Sequence, residues 1–376
     1  MDEADLREID RYYQQLSTLI RLHGAEHLGR QYVVVRLARM EVTGPLDYSD
    51  LQRILGRVVD HRTWYSSWHE EAEQAEELAR GLADVGRTTS AADLFHRASA
   101  CHHWGAYLAK VGSPEKAEGR EHRVRCYREA VARWAEPIQP LEIEYEGERM
   151  PGYVHLADPG PAPVVIMVNG ADSVKEEYHN WARQFVRRGL SVLTFDGPGQ
   201  GELLGRLPMR PEAWEEPIAA AVDALEASGL VDAGRVGIWG SSMGGFLALR
   251  ATAFEPRISA AVSSGGFFDF RDYPSWPLST QLNVLEDLGV ATLTEARRYV
   301  QERCSLAGVV EEIRAPYLVI HGARDELVSV EEARLMADGP RGEFVNFEDG
   351  FHTCTNHNAT LVPLMCDWMR EQLTAW

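Results

Sequence analysis

The sequence predicts an α/β fold, a mostly parallel sheet covered by helices on both faces, behind an N-terminal region that reads as helix. Three observations carry this expectation. Residues 1 to about 135 show no alternating strand pattern, whereas after Ala135-Glu136-Pro137 short, continuous apolar segments recur with helical stretches between them. Such segments are the mark of parallel strands buried on both faces. Three S/T-x-x-E runs in that second region match the helix capping box. A length of 376 residues suits two domains, 1–139 and 140–376.

The elements follow in order. From Thr88 to Lys110 and from Ser113 to Trp134, apolar and small residues recur at three and four spacing, as in Val124, Tyr127, Val131 and Trp134. Ser113-Pro114-Glu115 is a helix start: the serine caps free amides, proline suits the first turn and glutamate complements the dipole. Phe95 and Tyr127, 32 residues apart in similar settings, resemble a helical-hairpin repeat of only two copies, too few for a solenoid. Leu141–Tyr145 and Gly152–Leu156 alternate like a hairpin around the polar turn Glu146–Arg149. Strands are then expected at 163–168, 190–195, 235–239, 258–262, 317–320 and 343–347. Ser173-x-x-Glu176, Thr292-x-x-Glu295 and Ser329-x-x-Glu332 mark helix starts. The stretch from Phe267 to Arg314 is too long for a simple crossover and predicts a partial lid insertion at about 267–314.

Composition narrows the class of function. The 38 basic and 57 acidic side chains leave a net charge of −19, of which the first 139 residues, with 19 basic against 22 acidic, hold only −3. So acidic a chain repels phosphate backbones and anionic lipid, and neither nucleic acid nor membrane is an expected partner. No apolar run approaches the roughly 18 residues of a membrane span, and the acidic start MDEADLREIDRYY has no signal-peptide core. Five scattered cysteines form no CxxC pair and read as reduced thiols, so a cytoplasmic location is expected.

The sharpest motif is Gly240-Ser241-Ser242-Met243-Gly244-Gly245, directly after the strand 235–239 and before an apolar helix. G-x-S-x-G in strand-turn-helix context is a nucleophile elbow, in which small flanking residues permit a strained turn that lifts the hydroxyl above the sheet. Only Ser242 has glycines at both offsets; Ser241 would need them at Trp239 and Met243.

A serine hydroxyl needs a base, and the base a carboxylate to orient it. In this chain order the acid follows the serine and the histidine comes last. Asp325 lies on the loop after the strand 317–320, and His352 follows the last strand in the same way, so they are read as orienter and base. His357 is the competing histidine, Glu326 and Asp349 are the competing carboxylates, and His321 is read as a structural residue closing its strand.

A tetrahedral oxyanion needs fixed donors, each worth about 3 to 4 kcal/mol in the transition state. The Met243 amide is one candidate, and the Ala171 amide, with Gly170 supplying the conformation, is the other. Asp172 beside them is either a cap or a substrate contact. Asp269 and Asp272, in the aromatic stretch Phe267–Tyr273, are either an auxiliary acid or an exposed turn. Trp64, Tyr65, Trp68 and Trp104 either suit a flat apolar substrate or hold the domains together.

Two motifs are set aside. Gly197-Pro198-Gly199-Gln200-Gly201 lacks the Lys-Ser/Thr pair of a phosphate loop, and its proline removes a needed amide; it reads as a tight turn. His69-Glu70-Glu71-Ala72-Glu73 has no second histidine at helical spacing and reads as a solvated helix face, so no metal site and no cofactor are expected.

Ser173-Val174-Lys175-Glu176-Glu177, Phe195–Glu202, Gly240–Gly245, His321–Asp325 and Gly350–His352 together resemble one branch of the α/β-hydrolases. That branch contains 2,6-dihydroxypseudooxynicotine hydrolase, FrsA-like esterases and fungal polyketide-shortening hydrolases. The resemblance spans nearly the whole chain and implies an α/β-hydrolase fold with an N-terminal all-helical cap domain. It implies hydrolysis of a carbon-carbon bond next to a ketone, or of an ester, in a small aromatic or polyketide-like substrate, and it points to a homodimer. The rival readings are an acyltransferase or cyclase with the same triad, and a binding protein on a hydrolase scaffold, which an intact Ser242, Asp325 and His352 disfavour.

Overall fold

The computed structural model describes residues 3–25, 39–40 and 44–374. The helical expectation for 26–38 and 41–43 lies outside them. The chain forms two units, Met1–Pro137 and Ile138–Trp376. The second starts two residues before the expected boundary, because Ile138 already pairs with His155.

The first unit contains α1 (Glu3–His23), α2 (Tyr48–Leu55), α3 (Trp64–Asp84), α4 (Thr88–Tyr107) and α5 (Pro114–Val131). Ser113 caps α5 as expected, its hydroxyl accepting from the Lys116 amide. Asp47 and Asp50 close a capping box on α2 that does not fit the S/T-x-x-E pattern, because aspartate supplies both halves. Aromatic side chains fill much of the core: Trp64, Trp68 and Trp104 are each buried, and Trp64 Nε1 donates to the Trp104 carbonyl at 2.8 Å. Three of the four aromatics weighed as substrate walls therefore serve the interior of their own helical unit.

The second unit is an eight-stranded sheet of β1 (Ile138–Tyr145), β2 (Glu148–His155), β3 (Pro163–Val168), β4 (Ser191–Phe195), β5 (Asp232–Ser241), β6 (Ile258–Ser264), β7 (Tyr317–Gly322) and β8 (Gly342–Phe347), in the order β1-β2-β4-β3-β5-β6-β7-β8. From β4 to β8 every pairing is parallel, while β1 and β2 run antiparallel at one edge. The β1-β2 turn is tighter than expected: Tyr145 pairs with Glu148, and Glu146 and Gly147 take φ of 49° and 79°, as a two-residue hairpin requires. β3 and β4 are buried at every position, which is why they read as continuous apolar runs.

Helices α6 (His179–Val186), α7 (Glu215–Ser228), α8 (Met243–Phe254), α9 (Leu278–Leu288), α10 (Leu293–Arg303), α11 (Val330–Met336) and α12 (Asn358–Thr374) complete the unit. The long β6-β7 connection contains α9 and α10. Of the three expected capping boxes, Thr292 and Glu295 close one in full. Ser329 caps α11 through the Glu332 amide, but the Glu332 carboxylate goes elsewhere. After Ser173 the first turn begins at Lys175 without a side-chain cap, and Glu176 pairs with Lys175 instead. Among the described residues no helix is long and apolar enough to cross a membrane.

Candidate active site

Ser242 joins β5 to α8 with φ 56° and ψ −124°. For a residue bearing a Cβ this conformation costs on the order of 1–3 kcal/mol, and it survives because the neighbouring backbones close around it. A Cβ on Gly240 would lie 2.0 Å from the Gly244 carbonyl oxygen, and one on Gly244 would lie 2.3 Å from that of Val168. The two glycines of the motif are therefore demanded by backbone packing against each other and against β3. The Ser242 amide donates to the Ser264 carbonyl at 2.9 Å, anchoring the turn to β6.

Three side chains from three loops meet here. Ser242 Oγ lies 2.9 Å from His352 Nε2, and His352 Nδ1 lies 2.7 Å from Asp325 Oδ2. The Asp325 side chain is fully buried and that of His352 is 16% exposed, so the carboxylate is shielded while the imidazole reaches the surface of the site. Asp325 Oδ1 accepts from the amides of Leu327 at 2.8 Å and Val328 at 3.2 Å, which leaves Oδ2 to orient the imidazole. After His352 the chain turns through Thr353 and Cys354, both left-handed at φ 61° and 56°. Gly265 packs there so closely that a Cβ would meet the Thr353 nitrogen at 2.7 Å. This array can move a proton from the serine to the imidazole and hold the resulting imidazolium beside a carboxylate.

Met243 opens α8, so its amide is one of the free donors of a helix N-terminus. Gly170, Ala171, Asp172 and Ser173 form a turn closed by the Ser173 amide on the Gly170 carbonyl at 3.2 Å. A Cβ on Gly170 would stand 3.5 Å from the Ser242 Cβ, so this turn lies against the nucleophile elbow. Ala171 and Asp172 at its tip are half-buried.

The Gly197–Gly201 stretch is a tight turn that wraps its own Asp196. That carboxylate accepts from Asn169 Nδ2 at 3.1 Å, the Lys175 amide at 3.0 Å, the Glu202 amide at 3.1 Å and Lys175 Nζ at 2.8 Å. Lys175 Nζ also meets Glu176 at 2.6 Å and Glu202 at 2.7 Å. Gln200 Nε2 donates to the Asn169 carbonyl at 2.9 Å. The turn and its buried ion cluster hold the 169–175 segment, and hence Gly170 and Ala171, against the elbow.

Neither the competing histidine nor the competing carboxylates hydrogen-bond into this array. His357 pairs with Asp349 at 2.9 Å, Glu326 is exposed, and His321 is buried in β7, where burial pushes its pKa down. Asp269 makes a poor auxiliary acid. Burial would raise its pKa, but hydrogen bonds from Arg271, the Nε contact being 2.9 Å, outweigh burial and hold it low. Asp272 is exposed, its carbonyl accepting from the Ser275 amide in a short turn. The aromatics of that stretch are a packed cluster: Phe267, Phe270, Tyr273 and Trp276 are buried together, with Phe267 4.4 Å from Trp276 and 5.9 Å from His352 between ring centroids.

Two features escaped the sequence reading. Glu332 reaches back to the amides of Phe268 at 3.0 Å and Asp269 at 3.3 Å, and burial, with Asp269 and Asp272 nearby, pushes its pKa up to about 7. Its position in a capping box disguised this role. Tyr178, buried beside Trp239, places its hydroxyl 3.4 Å from Ser241 Oγ; no local pattern marks it.

Known proteins resemble this chain over most of its length. The profile of the esterase FrsA-like family matches residues 29–269, and that of the prolyl oligopeptidase family matches residues 212–374. The 2,6-dihydropseudooxynicotine hydrolase of Paenarthrobacter nicotinovorans is 32% identical over 321 residues, covering 83% of this chain and 85% of that protein. The 20-hydroxy-prefusarin hydrolase FUS2 of Gibberella moniliformis is 29% identical over 316 residues, covering 71% of this chain and 74% of that protein. The crystal structure of a 2,6-dihydroxy-pseudo-oxynicotine hydrolase superposes with a TM-score of 0.83 and 30% identity over 90% of this chain and 96% of that one.

Proposed function

We propose a function from one premise: the chain belongs to the FrsA-like esterase family of α/β-hydrolases and is a hydrolase of that type. Within it, we read the chain as a serine hydrolase that forms a covalent acyl-enzyme and cleaves a carbon-carbon bond next to a ketone, or an ester bond, in a small aromatic or polyketide-like substrate. The observation that carries this is the continuous Ser242-His352-Asp325 hydrogen-bonded array at 2.9 and 2.7 Å.

Ser242 Oγ attacks the substrate carbonyl while its proton passes to His352 Nε2, and the oxyanion is met by the Met243 and Ala171 amides. The intermediate collapses to the Ser242 ester, and the leaving group takes the proton from His352, on oxygen for an alkoxide or on carbon for a carbanion. With Asp269 engaged by Arg271, His352 is the acid this reading assigns to both cases. Water, deprotonated by His352, then releases the carboxylic acid. The aromatic cluster ending at Phe267 beside His352 favours a flat apolar substrate.

The test compares a 1,3-diketone with its matched ester in ¹⁸O-water. One ¹⁸O in the carboxylate fragment of the diketone, with the ester untouched, assigns carbon-carbon hydrolysis; ester turnover alone assigns an esterase. A label-free product carrying an acceptor or a new ring would replace hydrolysis by acyl transfer. A fluorophosphonate should label the wild type and not Ser242→Ala, and turnover should vanish in His352→Ala and persist in His357→Ala; the reverse would reassign the base.

A further inference from the structure

The HEEAE run set aside in the sequence acquires partners in the fold. His69 on α3 is half-buried rather than solvated, and its ring centroid lies 5.3 Å from that of His102 on α4 and 5.8 Å from that of His122 on α5. His102 and His122 are 4.9 Å apart by the same measure. One ring nitrogen from each of the three lies within 4.8 Å of the others.

The chemistry of the middle residue is specific. His102 is fully buried, and its Nε2 lies 3.0 Å from Glu76 Oε1. A carboxylate acceptor there places the ring proton on Nε2 and leaves the Nδ1 lone pair free. Nδ1 of His102 and Nδ1 of His122 are both buried without a hydrogen-bond partner. Glu76 is itself held by Arg125 through two contacts of 2.8 Å. A histidine whose far nitrogen donates to an anchored carboxylate is the usual support of a metal-binding imidazole.

We propose that His69, His102 and His122 bind a divalent transition-metal ion, Zn²⁺ in the first instance, which ties α3, α4 and α5 together inside the helical unit. Imidazole nitrogens suit zinc, and three of them leave a fourth position for water. Nitrogens bound tetrahedrally at 2.0–2.1 Å stand about 3.4 Å apart, so small ring rotations close the site. The neighbouring trio Glu76, His102 and Cys126 is a poorer site, because the carboxylate is already engaged by Arg125, His102 and the Cys126 thiol.

The test uses the full chain, stripped with a chelator and titrated with Zn²⁺ against a chromophoric competitor. One equivalent should bind and raise Tm. His69→Gln and His122→Gln should each weaken binding by at least about tenfold and lose the Tm rise, while His23→Gln, an exposed histidine of α1, should match the wild type. His69 has a side chain 21% exposed, so its variant tests the site without emptying the core, and circular dichroism checks that both variants fold. The Co²⁺ form should absorb as an all-nitrogen and oxygen site. No binding by the wild type, unchanged affinity in both variants, or a thiolate-to-cobalt charge-transfer band would each overturn the proposal.

Discussion

His352 Nδ1 lies 2.7 Å from Asp325 Oδ2, while the other oxygen of that carboxylate is held by the amides of Leu327 and Val328. Asp325→Asn keeps an oxygen for the two amides but turns an NH₂ toward the imidazole. The imidazole must then carry its proton on Nε2, facing Ser242, where it cannot act as a base. The expected loss in kcat is on the order of 10³ to 10⁴-fold with the fold intact, read with a chromogenic ester alongside circular dichroism. Near-normal kcat would remove Asp325 from its assigned role.

A methyl group at Gly240 would lie 2.0 Å from a backbone oxygen of Gly244, and a backbone atom cannot swing aside as a side chain can. Gly240→Ala should destabilise the chain by about 1–3 kcal/mol or more and abolish labelling of Ser242 by a fluorophosphonate. Urea unfolding and labelling together measure both effects.

Lys175 meets three carboxylates, those of Glu176, Asp196 and Glu202, and its side chain is 1% exposed. Lys175→Met keeps the bulk of the side chain and withdraws its charge from all three carboxylates. Breaking a buried pair from one side costs about 3–5 kcal/mol, so a large fall in urea midpoint is expected. Because Asp196 also anchors the 169–175 segment, kcat should fall even where the variant remains folded.

Glu332 has a folded-state pKa of about 7 against an ordinary 4.5. The folded chain thus prefers the protonated form, and stability drains away as pH rises through about 7. Glutamine resembles the protonated acid and still accepts from the amides of Phe268 and Asp269. Glu332→Gln should therefore match the wild-type Tm below about pH 4.5 and exceed it increasingly up to pH 8. Parallel Tm curves across that range would contradict the shift.

The legibility of the site in the sequence follows the distance over which each constraint acts. Ser242 was readable because the close approach of Gly240 to Gly244 spans five residues, all inside one motif. Asp325 and His352 were readable because each follows a recognisable apolar strand, and parallel strands deliver their following loops to one edge of the sheet. Glu332 was half legible because a capping box is a local pattern: Ser329 caps the helix start as the pattern requires, while the carboxylate answers amides 64 and 63 residues away.

What the sequence by itself determined was the class of fold, the elbow and the order of its partners, since these rest on strand periodicity, glycine geometry and chain order. What only the tertiary structure decided was where the charges and imidazoles go. Lys175 meets Asp196 across 21 residues, Glu332 meets the amides of Phe268 and Asp269 across 64 and 63, and His69 meets His102 and His122 from two other helices. A backbone turn is dictated by neighbours along the chain. A buried polar side chain instead takes the partners that packing brings within about 3 Å, because leaving it without one costs more than any local preference supplies.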